Sequence, residues 1–411
     1  MGNDIKVVHL IAGSLSGGAA RGAYWLHKGL LKEGVNSRII TSSTITLGEA
    51  EITSVAKGRG IAKYQANKEA ERLLLSSYPN RKNELFSSGM FGYDLFDLDV
   101  FNEADIVHLH WINDNFIDIS IIREIEKPIV WTMRDMWPMT GGCHYAVDCD
   151  KYVDGCGKCP LLKSDIERDL STEIQLYKSI HFPSRIQFVG ISNWLSDLAN
   201  KSWVMNGKAI RTIHNCIDTE SFLPISKSVA REILGLATRK RIIVFGASRV
   251  NDYYKGFSFI KQTLNLLNKE KYYLLIFGAS YEEDFSNLGF EYKRLGYLND
   301  ILSMRIAYSS GDVFLCASII EAFGKTVAES MACGTPVVCF DNAGPGEIVE
   351  HKISGYKAKP FSAQDMAKGI EYLCFSCDIN MMSSASHSRI KNFFSCTKIA
   401  PIYKELYKSM L

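Results

Sequence analysis

A chain of 411 residues, 46% of them hydrophobic and 22% charged, with a formal net charge of +2, has room for two to three domains and the composition of an ordinary soluble globular protein. The near-neutral balance gives no nucleic-acid signal, and no apolar run approaches the roughly 20 residues that a membrane span needs. Eleven cysteines, an odd number, follow an N-terminus (Met1-Gly2-Asn3-Asp4) without a signal-peptide pattern, which argues for a reducing cytoplasm over a disulfide framework.

In chain order, residues 5–11 form a continuous apolar strand, 19–33 a helical pattern and 37–40 a second strand. Short links make this a parallel strand–helix–strand unit. Between strand and helix lies Gly13-Ser14-Leu15-Ser16-Gly17-Gly18-Ala19. It lacks the dinucleotide Gly-x-Gly-x-x-Gly spacing. Its glycines either let backbone N–H groups approach a phosphate or sugar, or simply make a tight turn. Residues 61–77 read as a helix carrying Lys63, Lys68 and Arg72, with Arg81 and Lys82 beyond. That is a solvated face or, in the alternative, a surface for anionic headgroups.

The strand at 106–110 puts His108 and His110 on one face by alternation. The strand at 129–132 leads into Trp131-Thr132-Met133-Arg134-Asp135-Met136-Trp137, in which Arg134 and Asp135 read as a structural ion pair or as ligands for a charged acceptor group. Cys143, Cys149, Cys156 and Cys159 follow as Cys-x5-Cys-x6-Cys-x2-Cys. Four thiolates can hold a structural zinc, leaving no open catalytic position; free buried thiols and disulfides are the alternatives. Asp97-Leu98-Asp99 and Asp148-Cys149-Asp150 do not follow strands of the second half and read as surface loops rather than metal-holding pairs. Strands at 187–191 and 211–214 complete the first cycle. Asp218, Pro224 and Gly235 then punctuate a linker, and a second cycle has strands at 241–246, 273–278, 313–315 and 336–340. Fully apolar strands alternating with helices require sheets covered on both faces, hence an α/β fold with two doubly wound domains. Ligands are expected at the carboxyl ends of the strands.

The most informative stretch runs from Ile319 to Val338. Phe323-Gly324 marks a loop feeding a helix that starts near Lys325, with Glu321 at its mouth and Glu329 one turn inside. A helix N-terminus offers free N–H groups and partial positive charge to a diphosphate. Carboxylates beside it suit sugar hydroxyls, so the run reads as a nucleoside-diphosphate-sugar site.

This string resembles the donor-site signature of retaining glycosyltransferases of the GT-B fold, group 1, matching at Glu321, Phe323, Gly324, Glu329, Gly334 and Pro336. Asp341-Asn342-Ala343-Gly344-Pro345-Gly346-Glu347, Ser354-Gly355-Tyr356 and the His214-Asn215-Cys216-Ile217-Asp218 hinge are also similar, and the stretch from Trp131 to Tyr145 resembles the colanic-acid and O-antigen subgroup, where histidine is frequent at the place of Arg134. The resemblance implies two Rossmann-like domains facing a central cleft: 1–217 for the acceptor, 218–391 for the donor, and a last helix, about 392–411, packing back on the first. It also implies roles. His110 touches the donor sugar, with Glu321 and Lys255 also catalytic. Gly17 and Gly18 face donor phosphate and acceptor. Arg249 and Lys255 neutralise the leaving diphosphate, although Arg249 stands one position further from the lysine than is usual. The backbone of Gly296 and Tyr297 meets the nucleobase. The N–H groups of Phe323, Gly324, Lys325 and Thr326 take the diphosphate, and Glu329 the ribose. Arg134 and Asp135 face the acceptor. Catalysis then needs no metal or other cofactor. The partners are a nucleoside-diphosphate sugar and a glycan or lipid-linked oligosaccharide, in the cytoplasm or at the inner membrane's cytoplasmic face. An epimerase acting on the same donor and a non-catalytic scaffold are the rival readings.

Overall fold

The computed structural model describes residues 5–15, 17–43, 48–249, 252–279 and 283–411. The chain forms two compact units, the first comprising Met1–Asn215 and Ile399–Leu411, the second Cys216–Lys398. The first division therefore falls two residues ahead of the expected 217, and the return begins at Ile399 rather than about 392.

Unit 1 holds a seven-stranded sheet: β1 (Lys6–Ile11), β2 (Asn36–Thr41), β3 (Ile52–Ser54), β4 (Ile106–Leu109), β5 (Ile129–Met133), β6 (Ile186–Gly190) and β7 (Ala209–Thr212). Its order is β3-β2-β1-β4-β5-β6-β7, and every pairing is parallel. β4 and β5 are buried along their whole length, as a strand packed on both faces must be, which explains why they read as unbroken apolar runs. The chain winds outward from β1 to β3 and then returns to β4 on the other side, so the switch point lies between β1 and β4.

Unit 2 repeats this plan with β8 (Arg241–Arg249), β9 (Tyr272–Ala279), β10 (Glu291–Arg294), β11 (Val313–Cys316), β12 (Val337–Phe340) and β13 (Gly355–Ala358). Its order, β10-β9-β8-β11-β12-β13, puts the switch point between β8 and β11. Ile243, Phe245, Leu274, Ile276, Leu315 and Val338 form the sheet's contribution to one core, against which Phe257, Ile260, Leu264, Met366 and Ile370 pack from the helices.

Two helices outside the alternation matter for the site. Arg59–Ser76 buries only Leu75. Polar contacts hold it, with Glu71 accepting from Ser88 N at 2.8 Å and Asn115 Nδ2 at 2.9 Å, and Asn67 Nδ2 donating to Gly92 O at 3.0 Å. The last helix, Cys396–Lys408, buries Tyr403, Leu406 and Tyr407. Tyr407 Oη meets His108 Nδ1 at 2.6 Å and Tyr403 Oη meets Thr132 Oγ1 at 2.8 Å, so the C-terminus closes the core of unit 1.

Candidate functional site

In unit 2 the carboxyl ends of β8 and β11 border a cavity of about 20 Å³ lined by Gly246, Ala247, Lys255, Cys316, Ser318 and Thr326, among others. Lys255 ends a short 3-10 turn, Tyr253–Lys255, and Gly256 follows it at φ +67°. A Cβ there would lie 1.9 Å from Ala317 O. Only glycine lets the turn seat against the end of β11, which is the physical reason for a Lys-Gly step. The Lys255 ammonium pairs with the Glu321 carboxylate. Burial acts to lower the lysine's pKa, but the facing Glu321 outweighs it and holds Lys255 above its ordinary value.

The loop bearing Glu321 is fixed at three points. Ile319 N donates to Tyr254 O at 2.9 Å, Asn342 Nδ2 to Ile319 O at 2.8 Å and Gly344 N to Glu321 O at 3.0 Å. A Cβ on Gly344 would fall 2.4 Å from Phe323 Cα, so the Asp341–Gly346 string is the buttress of the carboxylate loop. Gly324 then caps the Lys325–Ala332 helix in the left-handed region, φ +96°. The first intrahelical bond closes from Ala328 N to Gly324 O at 3.1 Å, and the N–H groups of Lys325, Thr326 and Val327 precede it.

Glu329 sits inside the next turn, 0% exposed. Tyr308 Oη donates to its Oε2 at 2.8 Å. Its Oε1 stands 3.7 Å from Lys325 Nζ and makes no hydrogen bond. A buried carboxylate oxygen without a donor is costly, and a ligand hydroxyl would satisfy it. Gly296 takes φ +72° with open space where a Cβ would be; its carbonyl accepts from Gly278 N at 2.7 Å, and Tyr297 is exposed. The side chain of Arg249 lies outside the described residues, as do Ser16, Val250 and Asn251.

In unit 1 the corresponding edge carries Gly17, Gly18, His110, Arg134 and Asp135. Gly17 precedes the Gly18–Lys32 helix at φ −67°. Both glycines are exposed, and a Cβ at either would meet nothing closer than 4.0 Å. Among the described residues no contact demands glycine there.

His110, expected at the donor sugar, is 1% exposed. Arg134 Nη2 lies 3.0 Å from its Nδ1. A guanidinium only donates, so Nδ1 accepts, the proton sits on Nε2, and Nε2 donates to His9 Nδ1 at 2.8 Å. This ring has no nitrogen left for a sugar hydroxyl. His108 is likewise used, by Tyr407 and by Thr132 Oγ1 at 2.8 Å. Burial, reinforced by neighbouring imidazoles and the Arg134 charge, holds His9, His108 and His110 well below the ordinary histidine pKa.

Arg134 and Asp135, expected at the acceptor, are also buried. Arg134 turns inward, Nη1 donating to Asn215 Oδ1 at 2.6 Å. Gly22 makes room for this contact, because a Cβ there would lie 2.8 Å from Asn215 Oδ1 and 2.9 Å from Arg134 Nη1. Asp135 accepts from His144 Nδ1 at 2.7 Å, Trp111 Nε1 at 2.9 Å and Trp137 N at 2.9 Å. These two side chains hold the edge of the sheet rather than reaching out from it. Tyr308, Asn215, His144 and Trp111 were not singled out as site residues. Asn215 and His144 fall inside motifs quoted for other reasons, whereas nothing local marks Tyr308 as the partner of Glu329. Cys143, Cys149, Cys156 and Cys159 line one cavity and carry no disulfide.

Residues 239–375 match the family model described as Glycosyl transferases group 1. The group 1 region thus spans every candidate donor residue of unit 2. An uncharacterized glycosyltransferase, MJ1607, of Methanocaldococcus jannaschii is 23% identical over 284 residues, 66% of each chain. A putative colanic acid biosynthesis glycosyl transferase, WcaC, of Escherichia coli K12 is 24% identical over 262 residues, 60% of each. The chain therefore spans 66% and 60% of these curated relatives' own length. Among solved structures, sucrose-phosphate synthase from Thermosynechococcus elongatus superposes with a TM-score of 0.69 at 16% identity, covering 98% of both chains. Anabaena Alr3699/HepE in complex with UDP and glucose gives 0.66 at 16%, covering 98% of this chain and 100% of the other. WaaG, a glycosyltransferase involved in lipopolysaccharide biosynthesis, gives 0.59 at 12%, covering 98% and 99%. The fold is GT-B, with two parallel-sheet Rossmann-like units.

Proposed function

We propose that the chain is a retaining glycosyltransferase. It moves a sugar from a UDP- or GDP-sugar to a glycan acceptor, a lipid-linked oligosaccharide of O-antigen or exopolysaccharide synthesis. The observation that carries the reading is the start of the Lys325–Ala332 helix, where the N–H groups of Thr326 and Val327, the Lys255–Glu321 pair and buried Glu329, whose Oε1 makes no hydrogen bond, belong to the β8–β11 side of one sheet. The group 1 match over residues 239–375 supports a nucleotide-sugar donor. The bound UDP of HepE supports uridine diphosphate as its first candidate, and the biosynthetic roles of WcaC and WaaG support a cell-surface glycan as product.

In this mechanism the helix N–H groups and Lys255 take the diphosphate, whose negative charge grows as the glycosidic bond breaks. An arriving diphosphate competes for the Lys255 ammonium, and Glu321, released from the pair, accepts from the sugar hydroxyls. Glu329 Oε1 accepts from the ribose. No described carboxylate is placed as a nucleophile. The reaction therefore runs as a front-face substitution in which the departing phosphate oxygen takes the acceptor hydroxyl's proton, and catalysis is positioning and electrostatic stabilisation. His110 serves here as an acceptor that orients Arg134, and Arg134 and Asp135 shape the acceptor edge through Asn215, His144 and Trp111. Lys255 does the work that a metal ion does elsewhere, so no cofactor takes part in the transfer. Among the described residues no helix is long and apolar enough to cross a membrane; the exposed basic residues of the Arg59–Ser76 helix suit peripheral contact with the cytoplasmic face of the inner membrane.

Incubating the chain with UDP- and GDP-hexoses and a membrane lipid extract, then reading product mass and anomeric coupling by NMR, tests the proposal. Donor consumption with an acceptor-dependent product of unchanged anomeric configuration is expected. An inverted product refutes the retaining mechanism, and conversion of the donor without acceptor makes the chain an epimerase.

A further inference from the structure

Four cysteines outside the proposed reaction lie between β5 and the Leu170–His181 helix. Cys143, Cys149, Cys156 and Cys159 line one cavity of about 20 Å³ with Phe86 and Tyr152, space for a single ion and not for an organic ligand. Three features of this loop point the same way.

Cys156-Gly157-Lys158-Cys159 sets two sulfurs at the Cys-x2-Cys spacing of zinc ligands, and all four sulfur-bearing residues border the same cavity. Glycines on either side of Cys156 adopt conformations closed to other residues. Gly155 and Gly157 take φ +146° and +154°, and a Cβ at Gly157 would lie 2.0 Å from Glu167 O. Behind the loop, Lys178 is fully buried. Its Nζ donates to the carbonyl oxygens of Trp137 and, at 2.9 Å, Thr140, and lies 3.7 Å from the Trp137 ring centroid. Among the described residues no carboxylate is in hydrogen-bond contact with it, and burial lowers its pKa to about 7, so a negative charge placed nearby would favour its protonated form.

We propose that Cys143, Cys149, Cys156 and Cys159 bind one zinc ion as a closed structural centre. Four thiolates on Zn²⁺ carry a net charge of −2, which supplies the counter-charge for Lys178. Loading releases the thiol protons to solvent, breaks only S–H bonds and moves no electron. No three of the sulfurs lie within 4.8 Å of one another, so binding draws the loop inward to the about 3.8 Å separations of a tetrahedral sulfur set. The rival group, His9, His108 and His110, does bring its ligand atoms within 4.8 Å, but His108 and His110 spend both nitrogens on protein partners and Arg134 adds positive charge.

The loop's first end reaches the acceptor edge. Phe86 pairs with Cys143 in an antiparallel bridge, Ser87 Oγ meets His144 Nε2 at 3.0 Å, and Met136 N donates to His144 O at 3.0 Å. The zinc centre thereby fixes His144 on Asp135. Elemental analysis and X-ray absorption of the full chain, produced with zinc in the medium, test this. One zinc per chain with four sulfur neighbours at about 2.3 Å is expected, falling below a tenth of an equivalent in C156S/C159S. Should that variant fail to fold, alkylation of the native wild-type chain answers instead: four cysteines protected until a chelator is added. Zinc below a tenth of an equivalent in the wild type, zinc unchanged in the variant, four cysteines alkylated before the chelator, or a non-reduced mass showing disulfides each overturns the proposal.

Discussion

Lys255 and Glu329 present opposite chemical situations at one helix end. Lys255 has its counter-charge in Glu321, whereas Glu329 has a buried oxygen still waiting for a donor. Replacing Lys255 by alanine removes the cation proposed to face the departing phosphate, and kcat is expected to fall about 100- to 1,000-fold, as for other donors to a developing charge. Single-turnover kinetics check this. Glu329→Ala is expected to weaken the donor about 10- to 100-fold, since a charge-assisted hydrogen bond is worth about 1.5–3 kcal/mol. The place of Glu329 one turn inside a Gly-capped helix follows from local spacing in the sequence, whereas Lys255 was expected at the site from family likeness alone. Tyr308, which holds Glu329 from 21 residues away, was not, since no periodicity links the two. Arg134, which the sequence left open as a structural partner or an acceptor ligand, takes a structural partner for a related reason. A charge after a strand suggests a ligand, and only the folded chain reveals that Gly22 and Asn215 turn it inward.

Elements show the same division between what is local and what is assembled. The alternation of β4 placed His108 and His110 on one face, and their rings do lie 4.1 Å apart, but the third imidazole, His9, comes from β1 and the closing tyrosine from the last helix. This cluster makes unit 1 sensitive to acid. Its folded-state pKa values are depressed, and that of nearby His27, pushed down chiefly by burial, is about 4. The unfolded chain takes up these protons near pH 6.5 while the native rings stay neutral. Stability is therefore full above about pH 6.5 and falls below it, by about 1.4 kcal/mol per ring per pH unit until the folded pKa is reached. Thermal unfolding at pH 7.5, 6.0 and 5.0 checks the sign; a Tm that rises on acidification contradicts it. In unit 2 the buried Asp312 ties together the Lys227–Ile233 helix and β8, accepting from Lys227 Nζ at 2.9 Å, Arg231 Nη2 at 2.7 Å and Ile242 N at 2.7 Å. Burial works against its charge, but these cations hold its pKa below the usual aspartate value. Asp312→Asn removes the counter-charge of Lys227, Arg231 and, at 3.7 Å, Arg241, and should cost about 3–5 kcal/mol, read by denaturant unfolding.

At the scale of the whole molecule, the double strand–helix cycle was legible because both sheets are parallel and buried on both faces, which leaves continuous apolar runs. The return of the C-terminus to unit 1 was expected from family likeness alone; its physical cause is the tyrosine pair that satisfies His108 and Thr132. The division of labour between two similar units follows from what their edges offer. The β8–β11 edge presents a Gly-capped helix start, an ammonium and an unsatisfied buried oxygen. The β1–β4 edge presents exposed glycines whose Cβ positions are open, and His110 and Arg134 there are buried and bonded to one another. The proposed donor site thus lies in unit 2, and titration calorimetry of UDP and GDP into the wild-type chain and Glu329→Ala tests it most directly. The account predicts saturable binding of one nucleotide to the wild type, weakened at least about 10-fold in the variant. Equal affinity in the two proteins, or heat from neither nucleotide, contradicts it.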